Sequence, residues 1–157
     1  KQTIVWEGFH KRGKISIPRD IIVMVFECLY NTPFDLVEDG YSVINASSTP
    51  LYVVNDDKCS AEHIYRWNLY RWEPLNHASS LRGRIVELAP TKMVLGAQIC
   101  AWEQAEMREI PSLRKRLPIM SERVWNPFVN LDFNDFSTRL NKTDAQLTRI
   151  LAAAELN

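Results

Sequence analysis

Glycine is scarce in this chain, with five among 157 residues. No glycine-rich loop follows any apolar run, so a backbone cradle for nucleotide phosphates has no material. Cysteine is scarce too. Cys28, Cys59 and Cys100 stand far apart with no CxxC pair, which excludes a disulfide framework and a zinc signature and leaves free thiols, weakly suggestive of a reducing compartment. Net charge is missing: 19 basic and 19 acidic residues cancel, so no general field draws nucleic acid or an anionic membrane. No apolar run approaches the ~20 residues that span a bilayer, and the start carries no signal-peptide pattern. His10, His63 and His77 share no metal spacing, and neither a metal nor an organic cofactor is implied.

What is present is an ordinary globular composition, 46% hydrophobic and 24% charged, arranged as short apolar runs. Four of these read as buried strands: TIVW (3–6), DIIVMVF (20–26), YSVINA (41–46) and MVLGAQICAW (93–102). They are continuous rather than alternating, as in strands covered on both faces of a parallel sheet. Helices are expected between and after them. NTPFDLVED has Thr32 as N-cap, Pro33 at the first helical position and a stop at Gly40. SAEHIYRWNLYRW starts at Ser60 and carries Tyr65, Trp67 and Trp72 as core or subunit contacts. PSLRKRLPIMSERVW should kink or divide at Pro118, and NKTDAQLTRILAAAEL closes the chain with Leu147, Ile150, Leu151 and Ala154 on one side. The order β, β, α, β, α, β, α predicts an α/β fold with a parallel sheet of βα units. Residues 73–92 form the longest irregular stretch, a candidate functional loop.

In parallel α/β folds, ligands meet the carboxyl ends of strands. Those ends carry Trp6-Glu7, Phe26-Glu27, Tyr52 and Trp102-Glu103-Gln104. Aromatic walls with a few acids and amides suit a sugar, whose ring has apolar C–H faces and whose hydroxyls need fixed polar partners. Taken singly, such aromatics also cap cores, and Glu7 and Glu27 also read as rim salt bridges. Only their convergence carries a functional signal.

The fragments IVWEGF, DIIVMVFE, VINASSTPLYVV, GAQICAWEQ and SERVWNP, in this order, resemble the β-N-acetylhexosaminidases of glycoside hydrolase family 20, over about residues 3–127. That resemblance implies a (β/α)8 barrel, of which these pieces are similar to strands five to eight. It would explain an opening, KQTIVWEGF, that starts on a strand already under way. Residues 1–130 are then expected to be the C-terminal half of the catalytic barrel, and 131–157 a helical tail packing on it.

The family removes terminal N-acetylhexosamine with retention, using the substrate's own acetamido oxygen as nucleophile, an Asp to orient it and a Glu as acid and base. No Asp-Glu dipeptide occurs in this sequence, so the acid/base pair is expected upstream. By resemblance Trp6 belongs to the cage around the acetamide methyl, and Phe26 stands where a second tryptophan is usual. Tyr52 matches the tyrosine that holds the acetamido oxygen, a catalytic role. Trp102 matches the tryptophan stacked under the ring, with Glu103 or Gln104 reading its hydroxyls. Ser48 and Val54 depart from the family pattern, and Glu122 with Arg123 looks structural. The expected partners are an N-acetylhexosamine-terminated glycan and the upstream half of the barrel or a second chain. The alternative is a non-catalytic sugar-binding or assembly half-barrel.

Overall fold

The computed structural model describes residues 1–10, 17–54, 59–128 and 132–154. Four strands, β1 (Ile4–Trp6), β2 (Ile22–Val25), β3 (Ser42–Asn45) and the later Val94–Ala97, form one sheet in which every pairing is parallel. They coincide with the four apolar runs, and the α/β parallel-sheet expectation holds. The register Val5↔Val23↔Val43↔Val94 puts a row of valines on one face, and Trp6↔Met24↔Ile44 puts larger side chains on the other. The valine face is covered. Val23, Val25 and Val43 are fully buried in a cluster with Leu36, Tyr41, Leu51, Trp67 and Trp72. On the opposite face Ile4 is 51% and Trp6 41% exposed.

Between β2 and β3 lies α1 (Pro33–Glu38). It begins as its sequence demands. Thr32 Oγ1 accepts from Asp35 N at 3.1 Å while Asp35 Oδ2 accepts from Thr32 N at 3.1 Å, a reciprocal cap on a helix whose first position is Pro33. Gly40 ends it with φ +85°, a backbone region in which a side chain would be strained.

After β3 the chain makes a short turn of helix, α2 (Ser48–Leu51), and a two-residue strand β4 (Tyr52–Val53). The second helical expectation is corrected here. α3 covers only Ala61–Arg66, and Trp67 caps it in extended backbone with ψ 157°. Asn68 Oδ1 then accepts from Tyr70 N at 2.8 Å, a local turn that competes with helix. The next residues form a hairpin of β5 (Arg71–Trp72) with β6 (Val86–Glu87), so Trp72 is core, as expected, but on a strand.

The run at 93–102 is divided. β7 (Val94–Ala97) pairs with β3, and β8 (Cys100–Ala101) pairs with β4. Gln98 N still donates to Asn45 O at 2.9 Å, after which β3 has ended and β4 becomes the neighbour. One strand therefore serves two partners in succession.

α4 (Glu106–Trp125) runs as one helix through Pro111 and Pro118, against the expected division. A proline inside a helix costs about 3 kcal/mol. Packing outweighs that cost. Its buried face is Ser112, Arg116, Ile119 and Arg123, and the two guanidinium groups reach α3 and its approach, Arg116 Nε donating to Cys59 O at 2.9 Å and Arg123 Nε to Trp67 O at 2.9 Å.

The chain divides into two compact units, Lys1–Pro127 and Phe128–Asn157. The second contains α5 (Phe133–Ala154), which starts eight residues before the expected helix; Glu155 and Leu156 lie outside the described residues. Its stripe of Leu147, Ile150 and Leu151 is half exposed. No helix among the described residues is long and apolar enough to cross a membrane.

Candidate functional site

Trp6 ends β1, Phe26 follows β2, Tyr52 opens β4 and Trp102 follows β8. Parallel strands deliver Trp6, Phe26 and Trp102 to one rim at their carboxyl ends, and the turn of α2 after β3 brings Tyr52, the first residue of β4, beside them. They line a single cavity of about 190 Å³. The Trp6 and Phe26 rings meet edge to face at 6.0 Å and 83°, and Phe26 and Tyr52 meet at 5.2 Å and 52°. Trp6 and Trp102 remain 41% and 48% exposed, so the box has open sides.

Tyr52 is the one hydroxyl-bearing residue lining this box. Burial first, then the Glu103 carboxylate and Cys100, push its phenol above the ordinary tyrosine range. It is therefore a neutral O–H donor at physiological pH, suited to a carbonyl or amide oxygen. Its backbone is held on both sides: Cys59 Sγ donates to Tyr52 O at 3.1 Å, and Tyr52 pairs with Cys100 across β4–β8. Cys100 is buried, which raises its thiol pKa, while hydrogen bonds from the Trp102 and Gln98 side chains oppose the shift.

The two hydroxyl-reading candidates separate. Gln104 Nε2 donates to Val53 O at 3.1 Å, and Trp102 N donates to the same carbonyl at 3.1 Å. Gln104 thus keeps its amide oxygen and its second amide N–H for a ligand. Glu103 is exposed, has φ +58°, and its charge reaches Tyr52. Ser48 Oγ accepts from Leu75 N at 3.2 Å, while Val54 is half-buried.

Among the described residues, Glu7 and Glu27 bond to backbone N–H groups rather than to a cation. Glu7 is 9% exposed and its carboxylate accepts from the N–H groups of Leu29, Tyr30 and Asn31 at 3.2, 2.7 and 3.0 Å. Glu27 Oε2 accepts from Asn76 N at 2.9 Å. Arg123 donates to three carbonyls, those of Trp67, Asn126 and Pro127, with Glu122 nearby lending it a favourable charge against burial. No group of three His, Cys, Asp or Glu side chains able to hold a metal occurs among the described residues.

Sequence reasoning missed the buried cluster around Glu73. That residue pairs with Arg71 Nε at 2.6 Å and His63 Nε2 at 2.9 Å, and its N–H donates to Ser47 Oγ at 2.7 Å. It also missed Asn45, wholly buried, whose amide donates to Leu69 O and Arg71 O and accepts from Ser47 N. An asparagine interrupting an apolar strand was the available signal, since a buried amide demands partners.

Residues 1–128 match the description "Glycosyl hydrolase family 20, catalytic domain". The chain belongs to that family. Family 20 is a family of hexosaminidase-type glycosidases, and the α/β parallel sheet agrees with its barrel. Among solved structures the chain is similar to the crystal structure of Dispersin B, with a TM-score of 0.53 and 14% identity over 69% of this chain. At that identity the likeness is one of fold, and the chain spans 38% of the Dispersin B chain. No curated protein matches the sequence significantly.

Proposed function

We propose that this chain forms the acetamide cage and sugar-stacking wall of a β-N-acetylhexosaminidase, acting on glycans that end in N-acetylhexosamine. The carrying observation is the cavity lined by Trp6, Phe26, Tyr52 and Trp102 at the strand ends. At about 190 Å³ it is smaller than the ~300 Å³ at the lower end of small-molecule pockets. It suits a methyl-bearing acetamide and part of a ring rather than a whole sugar. Trp6 and Phe26 form the apolar wall for the methyl, and Phe26 is narrower than an indole. The neutral Tyr52 hydroxyl donates to the acetamido oxygen and holds it below the anomeric carbon, so that this oxygen attacks as the leaving group departs. Trp102 supplies the surface under the ring. Glu103, exposed beside Trp102, or Gln104, through its amide oxygen and second N–H, takes the hydroxyl-binding role.

The acid/base and the orienting Asp belong to strands outside this sequence, which contains no Asp-Glu dipeptide. Residues 1–130 then act as strands five to eight of the barrel, with 131–157 a helical tail. The upstream half, in the same polypeptide or a second chain, covers the sheet face on which Ile4 and Trp6 are exposed. Nucleic acid and membrane have no part in this role.

A second reading, a sugar-binding half-barrel without turnover, is favoured by Gln104, which a carboxylate could not replace in donating to Val53 O. Hydrolysis of a nitrophenyl N-acetyl-β-D-glucosaminide decides between them. The enzyme reading expects none from this chain alone, activity with the upstream half added, and loss of that activity in Tyr52→Phe. Binding without turnover in the complete assembly selects the second reading. Turnover by the chain alone contradicts an upstream acid.

A further inference from the structure

The two carboxylates that directly follow the aromatic wall residues have a common design. Glu7 follows Trp6 and Glu27 follows Phe26, each just past the end of its strand, and neither lines the box. Cys28 has φ +55°, a left-handed turn after which the N–H groups of Leu29, Tyr30 and Asn31 converge. Successive N–H groups arranged in this way make a concavity for an anion. Here the anion is the chain's own Glu7 carboxylate. Two further contacts tie the same pair of loops: Asn31 Nδ2 donates to Phe9 O at 2.7 Å, and the His10 and Tyr30 rings meet at 4.6 Å.

Glu27 makes a simpler contact of the same kind one strand further on, to a single N–H. It accepts from Asn76 N, while Ser80 N and Ser80 Oγ both donate to Cys28 O at 2.8 and 2.6 Å. The same segment reaches the third strand, where Ser47 Oγ and Ser48 Oγ accept from the N–H groups of Glu73 and Leu75, and Thr49 N donates to Glu73 O. Residues 73–80, part of the longest irregular stretch, thus bind the loop after Phe26 to the segment leading into Tyr52.

We propose that Glu7 and Glu27 are positioning residues, whose carboxylates set the Trp6 and Phe26 rings of the box by latching each strand end to a neighbouring loop. Glu7 uses both carboxylate oxygens as acceptors for backbone N–H groups, and Glu27 uses Oε2. Charge-assisted bonds are also the short and directional kind that fix an adjacent side chain. The bearing on sugar binding rests on the hexosaminidase reading, whereas the ring positions do not.

The test is Glu7→Gln in the whole chain, followed by NMR. An amide in place of the carboxylate turns one of its two ends into a donor facing donors. Hydrogen exchange at Leu29, Tyr30 and Asn31 should quicken about tenfold or more, and the Trp6 indole N–H and Phe26 ring signals should move. Affinity for N-acetylglucosamine should fall about tenfold, equivalent to ~1.4 kcal/mol. Faster exchange with unmoved Trp6 and Phe26 signals would make Glu7 merely structural and overturn the proposal. Should Glu7→Gln not fold, Glu27→Ala removes the side-chain acceptor of Asn76 N. It should free the Asn76 amide and move the Phe26 ring, and an unmoved ring again overturns the proposal. If the wild-type chain binds no N-acetylglucosamine, the hexosaminidase reading fails while the ring signals still decide the positioning.

Discussion

The two faces of the four-stranded sheet are built from similar residues and live in different surroundings. On one, Val23, Val25 and Val43 are fully buried beneath Leu36, Leu51, Trp67 and Trp72. On the other, Ile4 is 51% and Trp6 41% exposed. Hydrophobicity alone does not distinguish them. The covered face is packed by those buried side chains. On the other the exposure lies on the edge strand β1, with Ile22 beside Ile4 buried, and β1 leads to the aromatic box at its carboxyl end. An exposed apolar sheet face is a liability that a protein normally covers. The contrast teaches that one face builds the fold while the other, on the proposed reading, serves a ligand and further strands of a barrel.

Substitutions should therefore separate the faces, and the largest effect belongs to the covered one. Trp72→Ala removes a fully buried indole that also donates to Val25 O at 3.3 Å, and should cost about 3–5 kcal/mol by urea unfolding. Ile4→Ala on the open face should cost below ~1 kcal/mol. Equal costs would erase the distinction.

Alkali should act next. Burial foremost, then the charges of Glu7, Glu27 and Asp35, push the Cys28 thiol well above its usual range, and burial also raises Cys100 and Tyr52. A raised folded-state pKa in an acid means that the neutral form is favoured by folding. The contribution is complete below the unfolded thiol value of about 8.5 and is lost as pH rises toward the folded one. Urea midpoints should fall from neutral pH toward pH ~10, and the thiols should resist a disulfide reagent until unfolding. Ready labelling of Cys28 in the folded chain would contradict its place in the core.

At the rim the effects become smaller and move from stability to binding. Tyr52→Phe should weaken N-acetylglucosamine binding roughly 3- to 10-fold, one hydrogen bond of about 0.5–1.5 kcal/mol, with the unfolding midpoint little changed. Loss of stability without loss of affinity would place Tyr52 in the scaffold. Gln104→Glu should cost about 1 kcal/mol of stability, because a carboxylate cannot donate to Val53 O. A stabilised variant with tighter binding would assign the hydroxyl-reading role to position 104.

Much of this was legible in the chain. The four strands, the cap at Thr32 and the rim of Trp6, Phe26, Tyr52 and Trp102 follow from apolar runs, turn residues and the geometry of parallel strands. What was not legible depends on contacts distant in sequence. Nothing local says that α3 stops at Arg66, since the Asn68 turn and the hairpin of Trp72 decide it. Pro118 reads as a break, yet the arginines of α4 reach carbonyls more than fifty residues away and keep the helix whole. The role of Glu7 hides for the same reason, because its partners Leu29–Asn31 are on the next loop.

The central claim is that the open face ends in a sugar-binding wall. Its most direct test is an NMR titration of the chain with N-acetylglucosamine, beside glucose as control, following the five indole N–H signals. Saturable shifts at Trp6 and Trp102, absent with glucose and absent at the buried Trp67 and Trp72, are the predicted result. Unmoved Trp6 and Trp102 signals, or equal responses to both sugars, would contradict it.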